Sequence, residues 1–209
     1  MLGLFQELGP CRITDPTSIN GTSKNPYSWN SNANIIFLDE PLGVGLSYSR
    51  HGQKVGTTEE AALDVQAFLS LFFQTFKSFA KNDFYMAGES YGGRYLPVFA
   101  GTTLDMNARN TKRGLPEINL RGVLIGNGVT SAFKTMESYY TYQCTSIPGI
   151  GKPLQPIGTC VQMRKALPYC MEMVQSECLR RHDSIGCTGA MSFCEAALGE
   201  PFGRLDLNP

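Results

Sequence analysis

One stretch in the first half of the chain carries the strongest chemical signal, Asp83-Phe84-Tyr85-Met86-Ala87-Gly88-Glu89-Ser90-Tyr91-Gly92-Gly93-Arg94-Tyr95-Leu96-Pro97. Its centre has the form Gly-x-Ser-x-Gly, the pattern of a nucleophile elbow, in which a sharp strand-to-helix turn holds a serine exposed. A serine hydroxyl is too weakly acidic to attack a carbonyl unless a base takes its proton, so the chemistry predicted for Ser90 is acyl transfer through a covalent intermediate. The N–H of Tyr91, the residue after the nucleophile, is the expected oxyanion donor. Ser90 is expected at a helix start, where free N–H groups and the helix dipole favour developing negative charge. Gly88 and Gly92 are expected to leave room where the strand and helix backbones approach.

Such a serine needs a strand before it and a helix after it. Phe84 to Ala87 is a short apolar run after the polar pair Asn82-Asp83, as in a buried parallel strand. Tyr95, Leu96, Val98 and Phe99 follow at helical spacing. Upstream, Thr57 and Glu60 have the spacing of a capping box. Ala61, Val65, Phe68, Leu69, Phe72, Phe76 and Phe79 then recur on one helical face, an aromatic stripe that reads as core packing. Asn34 to Leu38 reads as a buried strand ended by Asp39-Glu40-Pro41, with both carboxylates expected at a solvated strand end. Leu120 to Ile125 reads as another strand, and Asn107 to Pro116 as polar loop. Alternating strands and helices predict a parallel α/β sheet covered by helices. Residues 1–33 read as loop, with breaker signals at Gly9-Pro10, Asp15-Pro16 and Asn25-Pro26. Asn20-Gly21-Thr22 is an N-glycosylation sequon, meaningful in a secreted protein.

With 209 residues, 42% hydrophobic and 11% aromatic, the chain can bury a substantial core. Its formal net charge of zero argues against nucleic acid or an anionic membrane as partner. No apolar run reaches transmembrane length. The start of the sequence lacks a basic leader and a cleavage site. Six of the seven cysteines lie between Cys144 and Cys194, a density that suggests disulfides and an oxidising compartment. Zinc is the rival reading, but no Cys-x-x-Cys pair occurs and His182 is the sole histidine nearby. No metal or cofactor is predicted. The tail from about Val129 lacks a convincing strand and carries helical stretches such as Phe133–Tyr142 and Val161–Leu179.

In Gly88–Ala100, Asn25-Pro26-Tyr27-Ser28-Trp29-Asn30, Ile36-Phe37-Leu38-Asp39, Val44-Gly45-Leu46-Ser47-Tyr48-Ser49 and Leu124-Ile125-Gly126-Asn127-Gly128, the chain resembles the serine carboxypeptidases. These matches follow the family's order and span nearly the whole chain. The resemblance implies an α/β-hydrolase fold, with residues 1–128 a partial core containing the elbow and 129–209 a helical, disulfide-rich insertion or cap. It implies release of single residues from peptide or protein C-termini, and a vacuolar or extracellular location. It matches Glu7 and Glu89 to a pair of glutamates that share a proton near the substrate carboxylate; like charges so close cannot both ionise cheaply. It matches Tyr91, Val129, Met136 and Tyr139 to positions lining the pocket for the side chain before the scissile bond, and the spacing of the last three suits one helical face if the helix starts early. Simple core packing is the alternative for these three.

The cysteine spacings resemble the family's insertion, which implies pairs Cys144–Cys160, Cys170–Cys194 and a nested Cys178–Cys187, with Cys11 left over. The family's second oxyanion segment and its catalytic Asp and His have no counterpart here, and His51 and His182 match neither the position nor the setting of the catalytic histidine. The chain is therefore expected to be a central fragment, inactive by itself. A truncated non-catalytic product and an acyltransferase on the same fold are the alternative readings.

Overall fold

The structure is a computed structural model, and it describes residues 2–15, 17, 19–146 and 151–205. The turn signal at Asp15-Pro16 falls partly outside them. The chain divides into two compact units, Met1–Gly126 and Asn127–Pro209.

The first unit opens on a π-helical turn, Gly3–Glu7, and an antiparallel hairpin of β1 (Cys11–Ile13) and β2 (Thr22–Lys24), with Ile13 opposite Thr22. The expectation of loop over 1–33 is corrected here. The two strands have three residues each and little buried surface, so no alternating apolar pattern marks them. Asn25 ties this region together. It is buried, and its Nδ2 donates to the carbonyls of Glu7 and Gly9, both at 2.9 Å. Ser28 Oγ donates to the Leu8 carbonyl at 3.0 Å.

Asn34–Leu38 is not a strand. It has no ladder partner among the described residues, and Ile36 and Leu38 stay exposed. β-branched and aromatic composition favours extended backbone, but a strand exists only where a neighbour takes its N–H and C=O groups.

Helix α1 (Thr58–Thr75) starts at the predicted capping box. Thr57 Oγ1 accepts from the Glu60 N–H at 3.2 Å, and Glu60 Oε2 accepts from the N–H groups of Thr57 and Gly56 at 3.2 and 2.8 Å. Its deeply buried side chains are Ala61, Ala62, Val65, Gln66 and Leu69. The aromatic stripe packs only partly: Phe68, Phe72 and Phe79 are half-buried, and Phe76 is exposed and caps the helix. Strand β3 (Phe84–Glu89) leads into α2 (Gly92–Lys112), which takes in the first part of the predicted loop, while residues 113–116 remain outside the helix. The polar residues there stay helical because they make bonds. Asn107 Nδ2 donates to the Ile118 carbonyl at 2.7 Å, and its Oδ1 accepts from the Ile118 N–H at 2.9 Å, clamping the helix end to the chain entering β4 (Leu120–Gly126).

β3 and β4 pair in parallel, Met86 opposite Val123 and Glu89 opposite Gly126. One core joins α1, Met86, Leu96, Phe99 and Ile118. The sheet differs from the predicted one, because β4 is not buried on both faces: Val123, Leu124 and Ile125 are 37–45% exposed.

The second unit holds α3 (Ala132–Cys144), α4 (Ile157–Met173), a π-helical turn Val174–Arg180, α5 (Ser184–Cys194), a π-helical turn Glu195–Gly199 and the short α6 (Glu200–Gly203). Three disulfides cross it, Cys144–Cys160, Cys170–Cys194 and Cys178–Cys187. Met163, Cys170, Val174, Cys194 and Leu198 form its core. Gln143, fully buried, donates from Nε2 to the Leu198 carbonyl at 2.9 Å and accepts at Oε1 from Gln155 Nε2 at 2.8 Å. Helix α5 starts at Asp183, whose carboxylate accepts from the N–H groups of Ile185 and Gly186.

Candidate active site

The turn between β3 and α2 consists of Ser90 and Tyr91, and Ser90 has φ of 56°. A non-glycine residue in the left-handed region carries strain of about 1–2 kcal/mol, and it persists only where surrounding structure fixes it. That structure is visible. The Ser90 N–H donates to the Gly126 carbonyl at 3.0 Å, extending the β3–β4 ladder by one rung. The Ser90 carbonyl accepts from the Gly93 N–H at 3.1 Å, and the Tyr91 carbonyl from the N–H groups of Arg94 and Tyr95 at 2.9 and 3.2 Å. The serine is thus held at both ends and remains exposed.

The glycines divide in their roles. A Cβ on Gly88 would stand 3.4 Å from the Gly92 Cα and 3.3 Å from Leu96 Cδ1, so the strand and helix do approach closely there. A Cβ on Gly92 would meet nothing within 4 Å, which corrects the expectation that it must relieve a collision. Among the described residues no acceptor takes the Tyr91 N–H. It opens α2 beside Ser90, where the helix dipole favours an anion.

The Tyr91 ring is half-exposed and meets Tyr95 edge-on at 4.9 Å, and Tyr95 stacks on Phe99 at 5.5 Å. Tyr91 and Tyr95 line a shallow cavity of about 140 Å³, closed on the other side by Pro41, Val55 and the first residues of α1. Arg94 Nη2 lies 2.6 Å from Glu59 Oε1, an exposed ion pair tying the start of α2 to that of α1. The Glu59 carboxyl is held below its ordinary range, chiefly by its own backbone N–H and then by Arg94.

The two glutamates do not pair in this structure. Glu7 sits on the first π-helical turn, with its carboxylate over Gly3, a position that the Phe37 ring also flanks. Glu89 is exposed, with its Cγ over Gly126. No hydrogen bond joins the two carboxylates among the described residues. What places Glu7 is the bonding of Asn25 and Ser28 to the backbone of Glu7, Leu8 and Gly9. From sequence, Asn25-Pro26 reads as a breaker and Asn25-Pro26-Tyr27-Ser28 as part of a family motif, neither of which points to these bonds. A polar cluster in an otherwise plain loop was the available signal.

Asp39 and Glu40 are not a solvated strand end. The Asp39 carboxylate accepts from the Leu46 N–H at 2.9 Å, which holds it below its usual range, and its carbonyl accepts from Ser47 Oγ at 2.6 Å. Glu40 has one carboxylate oxygen buried with no partner among the described residues. Burial, and then the nearby Asp64 carboxylate, push its pKa up to about 7.

In the second unit, Met136 is buried in the core, half-buried Tyr139 packs against it, and Val129 is exposed. Val129 precedes the helix, because Ser131 caps α3, so these three do not share a helical face. Burial, and then the Glu195 carboxylate, raise the Tyr139 pKa. Neither His51 nor His182 hydrogen-bonds Ser90; His51 is exposed in a loop, and His182 follows the second π-helical turn with φ of 54°. No group of three or more metal-ligating side chains is assembled among the described residues, and none of their helices is long and apolar enough to cross a membrane. The three disulfides suit a protein of the secretory pathway.

A family model described as serine carboxypeptidase matches residues 1–178. The carboxypeptidase Y homolog A of Ajellomyces dermatitidis is 41% identical over 209 residues, all of this chain and 36% of that protein. The homologue from Paracoccidioides brasiliensis is also 41% identical over 209 residues, 35% of its length. The chain thus spans about a third of the curated relatives it matches. Among solved structures, Kex1(delta)p, a prohormone-processing carboxypeptidase from Saccharomyces cerevisiae, superposes with a TM-score of 0.71 at 23% identity, covering 95% of this chain and 42% of that one. That likeness gives the fold, an α/β hydrolase with a disulfide-bearing helical region. With an elbow serine held by β3, α2 and Gly126, and with residues 1–178 matched, the chain belongs to the serine carboxypeptidase family.

Proposed function

We propose that these residues form the nucleophile-bearing part of a serine-type carboxypeptidase that releases single residues from peptide or protein C-termini. The observation that carries this reading is the left-handed, exposed Ser90 between β3 and α2, beside an N–H that no acceptor takes among the described residues. Ser90 Oγ attacks the last peptide carbonyl, its proton passes to a histidine base, and the Tyr91 N–H donates to the oxyanion. The amine of the released residue leaves with a proton from that base, and water then hydrolyses the acyl-enzyme. Glu7 and Glu89 are assigned to the substrate carboxylate. Val129, Met136 and Tyr139 are assigned to the pocket for the preceding side chain, with an apolar preference. Residues 129–209 are read as the cap, and the compartment as vacuolar or extracellular.

Neither histidine described here bonds Ser90, which favours a second statement: the 209 residues alone bind peptide at most, without turnover. The test is C-terminal residue release by the full reading frame containing this chain. Ser90→Ala is expected to lower kcat by on the order of 10⁵–10⁶. Unchanged activity in the serine variant would overturn the assignment.

A further inference from the structure

Within the second unit, α4 and the turns that follow α5 enclose a cavity of about 570 Å³. Sites for small ligands run from about 300 to 1,000 Å³. Every residue lining the cavity is described, and none of them is Val129, Met136 or Tyr139. Met163, Ala166, Ala197 and Leu205 give it an apolar wall. Gln155 also lines it and is only 9% exposed. Its Nε2 donates to Gln143 Oε1 at 2.8 Å and to the Pro201 carbonyl at 2.7 Å, which uses both amide hydrogens. A carbonyl can only accept, so the amide cannot be turned the other way round. That leaves Gln155 Oε1 as a buried acceptor to which no described residue donates. An acceptor in that state is costly until a ligand supplies a donor. The cavity is lined by one charged side chain, Arg204. Arg204 Nη2 lies 2.8 Å from Glu200 Oε2, an exposed pair that spends one of five N–H donors, and Glu200 does not line the cavity.

We propose that this cavity is a second peptide site, which takes the C-terminal end of a short apolar peptide. A peptide N–H donates to Gln155 Oε1, the terminal carboxylate accepts from Arg204, and the side chains lie against Met163 and the alanines. Each feature excludes a class of ligand. The apolar wall disfavours sugars and nucleotides. The cation selects an anionic group, and Arg recognises carboxylates through its planar fork of donors. The unpaired acceptor requires a donor within the same molecule, which a fatty acid lacks. Thr159 and Gln162, on α4, bring a hydroxyl and an amide that can donate to peptide carbonyls. A free amino acid offers the same two end groups in a smaller body. Binding here makes and breaks no covalent bond, and the inference does not depend on Ser90 or its reaction.

The test uses the full reading frame carrying Ser90→Ala, so that turnover at that serine does not consume the probe, acetyl-leucyl-leucine. Adding the peptide is expected to slow hydrogen exchange in α4 and around Arg204. Ala196→Phe, at an exposed position of the lining, is expected to abolish that protection. Arg204→Leu is expected to weaken Kd by up to about fivefold, the scale of an exposed charge pair, and Glu200→Gln to tighten it by freeing the guanidinium. Both positions are exposed, so these variants keep the fold. Acetyl-leucyl-leucine amide is expected to bind the protein with and without Arg204→Leu equally. Decanoate, which has no N–H, and free leucine are each expected to bind about tenfold more weakly than the peptide. Decanoate as tight as the peptide would overturn the role of Gln155, and leucine as tight would replace the peptide by an amino acid. Protection confined to β3 and α2 would overturn this site while leaving the Ser90 reading in place.

Discussion

Among the described residues the two units of this chain differ in their buried amides: the first bonds Asn25 and Asn107 but leaves Gln66 unpaired, and the second bonds Gln143 at both ends. In the second unit Gln143 is fully buried, yet both ends of its amide are used, by Leu198 and Gln155, while three disulfides close the surrounding helices. In the first unit Gln66 is 4% exposed on α1, and neither its amide oxygen nor its nitrogen has a partner among the described residues. Glu40 has a buried oxygen in the same condition, and β4 leaves apolar side chains exposed. The unit that carries the candidate nucleophile is thus the one in which, among the described residues, buried side-chain atoms are left unpaired.

The largest break in this contrast is expected from the disulfides. Replacing both Cys170 and Cys194 by alanine opens a bridge with a sequence separation of 24. On the chain-entropy model this removes roughly 3.5 kcal/mol, read as lost hydrogen-exchange protection in α4 and α5 with β3 and β4 unchanged. Equal loss in both units would dissolve the distinction.

Next come the two glutamines, with opposite signs. Gln143→Leu leaves the Leu198 carbonyl without its donor and is expected to cost about 2 kcal/mol in urea unfolding. Gln66→Leu replaces an unpaired buried amide with an apolar side chain and is expected to gain about 1 kcal/mol. A loss of stability in the Gln66 variant would show that its amide is bonded after all.

The smallest effect is electrostatic. The folded pKa of Glu40 is raised to about 7, so the folded state holds that proton more tightly than the unfolded chain does. Its favourable contribution is complete below the ordinary glutamate range, declines as pH rises toward 7, and is flat above. Glu40→Gln is expected to flatten that part of the Tm–pH curve, and an unaltered slope would place the titration elsewhere.

Local chemistry was legible in the sequence. Thr57 and Glu60 announced α1 because both halves of a capping box lie within one turn. The apolar run and the glycines around Ser90 announced a strand, a turn and a helix. What could not be read depends on partners distant along the chain. Asn34–Leu38 has strand composition but no described ladder partner. Asn107 looks like loop until its two bonds to Ile118, eleven residues on, hold the helix end in place. Glu7 is set by Asn25, eighteen residues away. The expected Glu7–Glu89 bond was inferred from resemblance alone and is not made here. Met136 suits pocket and core alike in the sequence; its side chain is buried in the second unit, and Val129 lies before α3 begins.

The central claim is that the β3–α2 turn presents Ser90 as a nucleophile. The most direct measurement is labelling of the full reading frame containing this chain with an active-site phosphonate, followed by peptide mapping. The account predicts one adduct, on Ser90, that is lost in Ser90→Ala. Stoichiometric labelling at another serine, or none at Ser90 in a protein that cleaves peptides, would contradict it.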